Sequence, residues 1–170
     1  MITIKKCEEN QLDSLHKIAI QTYNDTYQYL WSDNGTWYLN EFYQKESFKK
    51  ELSQPDIFYF LVYDEDKIIG YFKIMNIALD PYPEEQCTEI DKLYLLKDYG
   101  GKGIGKTIME FIFDFSKKQK RSVLWLKAME SSPAKSFYEK SGFIETDKAN
   151  LNFPTIREEH RLILTMVKEI

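Results

Sequence analysis

Cysteine is scarce, with Cys7 and Cys87 alone among 170 residues. Two thiols cannot build the disulfide framework of a small secreted scaffold, nor fill a zinc cage. A single bridge stays open, but the count favours two free thiols in a reducing compartment. Glycine and proline are sparse as well, at 7 and 5, so no flexible or Pro-rich linker divides the chain, and no internal repeat is visible. The longest apolar run, Ile57 to Tyr63, has the length of a strand and falls far short of a membrane span. The first residues, Met1-Ile2-Thr3-Ile4-Lys5-Lys6, lack the basic segment and apolar core of a signal peptide. Basic excess is missing too: 23 Lys+Arg stand against 27 Asp+Glu, a net charge of -4. That argues against a broad nucleic-acid footprint and suits a cationic ligand slightly better. The chain reads as cytoplasmic and soluble, with no nucleic-acid and no membrane partner; a homodimer stays open.

With 43% hydrophobic residues, the chain can bury a core, and its length fits one domain over 1–170. Ile2 and Ile4 start a strand, and Leu12, Leu15, Ile18, Ala19, Thr22 and Tyr23 have helical spacing. Aromatics crowd Tyr23 to Phe48 around an Asp33-Asn34-Gly35 turn, and Lys45 to Leu52 reads as a short helix. Strands are expected at Ile57–Tyr63, Lys67–Ile77 and Thr88–Leu96, with a loop at Asp80–Glu85 between the last two. Ile104, Ile108, Ile112 and Phe115 mark an amphipathic helix. A strand (Val123–Ala128), a helix (Pro133–Ser141) and two strands (Phe143–Thr146, Arg161–Val167) complete the order β-α-α-β-β-β-α-β-α-β-β. A meander joined to βαβ units predicts an α+β fold: a mixed, mostly antiparallel central sheet flanked by helices.

The strongest chemical signal is Gly100-Gly101-Lys102-Gly103-Ile104-Gly105-Lys106-Thr107. Glycines let backbone N–H groups converge, and the helix that follows aims its positive end at the same point. Such a turn suits a pyrophosphate, with Lys102 and Lys106 adding charge; the plainer alternative is a strand–helix turn whose glycines serve packing. The literal match to a nucleotide P-loop is disfavoured by context. A meander precedes it, few residues follow, and the next strand carries no acidic residue for a metal. No dinucleotide fingerprint reads in register.

The same residues resemble the first signature of the GNAT (Gcn5-related) N-acetyltransferases, with Gly100 where that pattern has Gln or Arg. Trp125 to Phe143 resembles the second signature: Ala134, the Phe137-Tyr138 pair and Gly142-Phe143 fall in register, with Ser131 in place of the usual Asn. Tyr23-Asn24-Asp25-Thr26, Glu89 to Tyr94 and the C-terminal strand look like bacterial PaiA-type spermidine/spermine acetyltransferases. The resemblance implies transfer of acetyl from acetyl-CoA, as co-substrate and without a metal, to a small-molecule amine, a polyamine favoured. Acetylation of a peptide or another small amine is the alternative, and a non-catalytic acyl-CoA sensor is the alternative of a different class.

An alkylammonium, with a pKa of about 10.4, has no lone pair to attack with at neutral pH; a carboxylate, at a distance or through a water, can take its proton. Glu89 and Asp91 alternate on one strand and share a face; the competing reading is an edge strand showing charge to solvent. The resemblance makes Glu89 the base. It also implies that the strand before the glycine turn pairs with the cofactor, with Leu93, Tyr94 and Leu95 offering main-chain groups and Gly100, Gly101, Lys102, Gly103, Ile104, Gly105 and Lys106 holding the pyrophosphate. If the alternation holds, the Leu93 and Leu95 side chains fall on the face of Glu89 and Asp91. Tyr138 stands where the family has its general acid, although a core tyrosine is the competing reading. Ser131 is placed by the resemblance at the pantetheine arm. Lys135 and Lys140 lie beside the adenosine end, though ordinary solvated lysines explain them better. Trp125 reads as core, Cys87 as a buried bystander, and neither His16 nor His160 has a partner at ligand or triad spacing. The aromatic Tyr23–Phe48 segment and the Asp80–Glu85 loop are the expected walls of the acceptor pocket, with Asp25, Asp33, Glu84 and Glu85 supplying negative potential.

Overall fold

A computed structural model of the protein describes all of residues 1–170. In chain order the elements are Ile2–Lys6 (β1), Leu12–Tyr27 (α1), Thr36–Phe42 (α2), Lys45–Leu52 (α3), Ile57–Asp64 (β2), Lys67–Met75 (β3), Cys87–Leu95 (β4), Ile104–Lys118 (α4), Val123–Met129 (β5), Ala134–Lys140 (α5), Ile144–Asn150 (β6) and Leu162–Glu169 (β7). One seven-stranded sheet takes all the strands in the order β1-β2-β3-β4-β5-β7-β6. Every neighbouring pair is antiparallel except β4 and β5, which α4 joins as a parallel crossover.

Both sheet faces are covered because α1 and α4 carry one apolar stripe each. On α4, Ile108, Met109 and Ile112 are at most 2% exposed and pack on Phe60, Phe72, Ile90 and Leu126. Burial of each contributes roughly 2 kcal/mol, which holds in place a helix that would be marginal alone at this length. On the other face, Leu15, Ile18 and Ala19 of α1 pack with Tyr59, Leu61 and Tyr71 of β2 and β3. The buried Thr22 donates its hydroxyl to the Ile18 carbonyl at 2.8 Å, so its polar atom is satisfied within the helix.

The expected elements are present, with one addition. Helix α2 lies in the aromatic segment where only a turn was expected. The Asp33 carboxylate accepts the N–H groups of Gly35 (3.0 Å) and Trp37 (2.8 Å), and Gly35 turns the chain at φ +87°. Stacking of Tyr38 on Trp31 and Tyr23, with centroids 4.9 and 5.0 Å apart, then fixes this short helix to the core. Strand β6 runs past the expected Thr146 to Asn150; as an exposed edge strand it has no apolar alternation to mark its length. Cys7 and Cys87 are buried free thiols in separate core clusters. Trp125 is buried, its indole N–H donating to the Ile77 carbonyl at 3.1 Å. No helix is long and apolar enough to cross a membrane.

Candidate active site

Strand β4 organises the site through two irregularities. Lys92 pairs with Lys73 of β3 and Ile90 with Ile74, which leaves Asp91 as an extra residue, a β-bulge. On its other side, β4 pairs with β5 only from Cys87↔Val123 to Ile90↔Leu126. Beyond Ile90 the two strands diverge, so the edge of β4 from residue 91 onward has no strand on the β5 side. Its main-chain groups are free there to pair with an extended ligand.

A groove of about 510 Å³ lies at this divergence, lined by Leu93, Tyr94 and Leu95 of β4, Gly101, Gly103, Gly105 and Lys106 of the glycine turn, and Ala134, Phe137 and Tyr138 of α5. Gly101 and Gly103 have φ of +73° and +79°, a region that penalises any side chain, and a Cβ at either would meet no protein atom within 4 Å. The space above these two glycines is thus open, while Gly103 caps α4 and directs its first N–H groups toward the groove. An open glycine turn, a helix N-terminus and an unpaired strand edge fit the diphosphate and extended arm of coenzyme A. Tyr138 has its ring in the core and lines the groove, yet its hydroxyl makes no hydrogen bond within the protein. Burial, then the neighbouring Tyr27, push its pKa up, so it stays a neutral phenol at physiological pH.

A second cavity, of about 220 Å³, adjoins on the α1 side and is lined by Tyr23, Tyr27, Trp31, Tyr38, Tyr94 and Phe153, with Glu89, Asp91, Lys92 and Lys127. Tyr27 and Tyr94 line both cavity and groove. The carboxylates differ in their surroundings. Asp91 lies 3.1 Å from Lys73 Nζ and 3.4 Å from Lys92 Nζ. Burial alone would raise its pKa, but these two ammonium groups outweigh burial and hold it below the usual carboxylate range. Glu89 is 8% exposed and forms no ion pair; burial first, and the Asp91 charge second, push its pKa up to about 7.

The structure brings Glu89 and Asp91 to one cavity, on a central strand; the edge-strand reading is overturned, because β4 lies between β3 and β5. The expected common face of Leu93 and Leu95 with the carboxylates is also overturned. The bulge shifts the alternation by one, so these leucines pack with Ile90 on the α4 side while Lys92 and Tyr94 take the carboxylate side. The Asp80–Glu85 loop is not a cavity wall; it packs by Tyr82 near Trp125, and the wall is completed by Leu151, Phe153 and Ile163 from the C-terminal part. Asp33 serves α2, and Asp25 lies in a different depression.

Of the remaining expected residues, Gly100 is extended at φ -67° and outside the groove lining, and Ile104 is buried in the core at the start of α4. Lys102 sits over the Tyr99 ring at 5.2 Å. Ser131 Oγ is 3.2 Å from Tyr29 Oη and is not part of the groove lining. Lys135 lies 3.9 Å from Glu139, and Lys140 lines a neighbouring recess together with Lys106 and Phe137. His16 Nε2 donates to the Tyr43 carbonyl at 2.8 Å. Lys73, Lys92, Lys127 and Phe153 escaped the sequence reading. Lys73 lies in no motif, Lys92 and Lys127 lie within the quoted segments without a role assigned to them, and Phe153 is distant in the chain, although it stands among apolar residues in an otherwise polar stretch.

The divergence of two central strands beside a glycine turn defines a class of acyl-CoA-dependent enzymes. The model of the acetyltransferase (GNAT) family matches residues 17–143, and the chain belongs to that family: it is an acetyl-CoA-dependent N-acetyltransferase. Among its relatives, it is 27% identical over 161 residues to the spermidine N(1)-acetyltransferase of Thermoplasma acidophilum, covering 89% of this chain and 94% of the other. It is 26% identical over 147 residues to an uncharacterised N-acetyltransferase of Lactobacillus delbrueckii subsp. lactis, covering 83% of each. The crystal structure of the PaiA N-acetyltransferase of Thermoplasma acidophilum in complex with coenzyme A shares the fold, with a TM-score of 0.78 at 24% identity over 100% of this chain and 99% of that one.

Proposed function

We propose that this enzyme acetylates the primary amine of a polyamine, with the groove taking acetyl-CoA and the aromatic cavity taking the acceptor. One observation carries the assignment: groove and cavity meet at Tyr27 and Tyr94, with the unpaired carboxylate of Glu89 in the cavity and the neutral hydroxyl of Tyr138 in the groove. When bound, acetyl-CoA supplies the activated acetyl group. Gly101, Gly103, Gly105 and Lys106, with the first N–H groups of α4, hold its diphosphate; Lys102 adds charge, and the free edge of β4 at Leu93, Tyr94 and Leu95 binds the arm.

Glu89 accepts the ammonium proton, directly or through a water. With a pKa of about 7, a large fraction of Glu89 is ionised at neutral pH and is more basic than an ordinary carboxylate. Asp91, held as an ion pair, adds negative potential. The tyrosine and tryptophan faces favour an ammonium and so help to draw in the protonated amine. Tyr138 protonates the departing thiolate. A polyamine satisfies such a cavity, and the spermidine N(1)-acetyltransferase relative supports that choice. The seven-stranded sheet runs through both halves of the chain, which supports reading residues 1–170 as one catalytic domain.

A thiol-release assay with acetyl-CoA and a panel of amines tests the proposal. Turnover with spermidine or spermine and not with lysine peptides or amino sugars is the expected result. Preferred turnover of a peptide amine would reverse the choice of acceptor, and tight coenzyme A binding without turnover on any amine would make the chain a sensor.

A further inference from the structure

Behind the cavity lies a chain of charges that the reaction scheme has not used. Lys73 on β3 is 5% exposed, an unusual place for an ammonium group. Its Nζ sits 2.9 Å from a Glu51 carboxylate oxygen at the end of α3 and 3.1 Å from Asp91 at the bulge of β4. Tyr59 donates its hydroxyl to the same Glu51 oxygen, and the Lys73 ammonium lies 5.7 Å from the Tyr59 ring centroid. Lys92 closes the group at 3.4 Å from Asp91. Two cations and two anions therefore balance across three elements, and a buried charge is tolerated only when paired in this way.

The balance bears on Glu89 because Asp91 is the like charge that acts on it from the same strand and cavity. The charged groups acting on Glu89 are Asp91 and Lys92 on its own strand, Lys73 on β3 and Lys127 on β5, while Tyr23, Tyr27, Tyr38 and Tyr94 supply the remaining titratable groups of the cavity. Lys127 is exposed, where solvent screens it. Lys73 is the buried cation that spans from Asp91 to α3.

We propose that Lys73, anchored by Glu51, is a positioning residue: it fixes the Asp91 side chain at the bulge and, with Lys92, keeps that carboxylate paired, so that Glu89 is left as the one carboxylate free to take the substrate proton. The proposal rests on the reading of Glu89 as base. It makes α3, which contributes nothing to the cavity lining, part of the control of that base.

The test is a direct titration of the Glu89 carboxyl by ¹³C NMR on the full chain labelled at glutamate side chains, with Glu89→Gln identifying the resonance. It needs neither acceptor nor turnover. Lys73→Met removes a cation and should move the Glu89 midpoint upward by about one unit, the low end for a neighbouring charge. Glu51→Gln removes an anion and leaves Lys73 to Asp91 alone, so the midpoint should move downward. Opposite displacements are the signature, since loosened packing would not give them opposite signs. Midpoints that stay in place, or move together, overturn the proposal. Should Lys73→Met fail to fold, Glu51→Gln, at a partly exposed position, decides by its direction alone. Turnover of Glu89→Gln is measured alongside: wild-type turnover there would sink the base assignment and this proposal with it, whereas lost turnover with unmoved midpoints would sink the proposal only.

Discussion

Glu89 and Asp91 stand two residues apart on β4 and line the same cavity, yet Asp91 has two ammonium partners and Glu89 has none. Environment thus separates two like groups into a permanent anion and a titrating base. For the wild type, kcat/KM should fall on the acid side with a midpoint near about 7 as Glu89 takes up its proton. Glu89→Gln should lower turnover by about 10²- to 10⁴-fold, the usual contribution of a positioned base, and should erase that acid limb. A profile of the variant that keeps the limb would assign it to another group.

The same burial makes Glu89 a stability liability above neutrality. Its folded pKa, about 7, is raised from 4.5, so the folded state binds the extra proton between those values. The associated stability is fully present below about pH 4.5 and is lost as pH rises through about 7. Glu89→Gln should therefore stabilise the protein by up to about 3 kcal/mol at pH 8 and hardly at all near pH 4. Thermal melts at the two pH values check both the size and the sign.

Tyr138→Phe should lower turnover on the order of tenfold to a hundredfold, at or below the lower end for acid catalysis because a thiolate leaves readily without help. Affinity for coenzyme A should stay within about twofold, since the ring that packs in the core is retained and a single neutral hydroxyl is worth little in net binding. Isothermal titration with coenzyme A, run beside steady-state kinetics, separates the two quantities.

Gly103→Val places a branched side chain at φ +79°, where a Cβ meets no protein atom and projects into open space at the groove. Backbone strain should cost about 1–3 kcal/mol of stability. Coenzyme A affinity should fall by at least about tenfold, as expected when one charge-assisted backbone contact is lost. Melting curves and calorimetry on the same sample report the two effects, and unchanged affinity would remove the glycine turn from the cofactor site.

Phe153→Ala opens the proposed acceptor cavity on the side formed with Trp31 and Tyr38, whose ring centroids lie 6.0 and 5.9 Å from that of Phe153. An aromatic face contributes about 0.5–1 kcal/mol to holding an ammonium at such partly exposed sites, so KM for spermidine should rise roughly two- to fivefold with coenzyme A affinity unchanged. Unaltered amine kinetics would move the acceptor elsewhere.

Most of the scaffold was legible because its signals are local. The run of β-forming apolar residues at Ile57–Tyr63, the apolar stripe of α4 and the glycines before it each act within a few residues, and all form as expected. The bulge at Asp91 was not legible, since a single-residue slip in register leaves no mark on composition. It reversed the facing of Leu93 and Leu95. Lys73 was equally silent: a lysine in a strand reads as a solvent-facing residue until Glu51 and Asp91 are seen to meet it. Helix α2 was missed because its order comes from the Asp33 cap and from stacking on Trp31 and Tyr23, not from an apolar period of its own. Cavity walls drawn from both ends of the chain, such as Tyr27 and Phe153, become neighbours only through the tertiary fold.

The parting of β4 from β5 past Ile90 has an evolutionary consequence. The groove beside that parting offers a free strand edge and a glycine turn, contacts made by main chain, while the cavity is lined by rings and charges that substitution can exchange. On the proposed assignment, substitution in the cavity retunes which amine is chosen without rebuilding the groove that delivers the acetyl group.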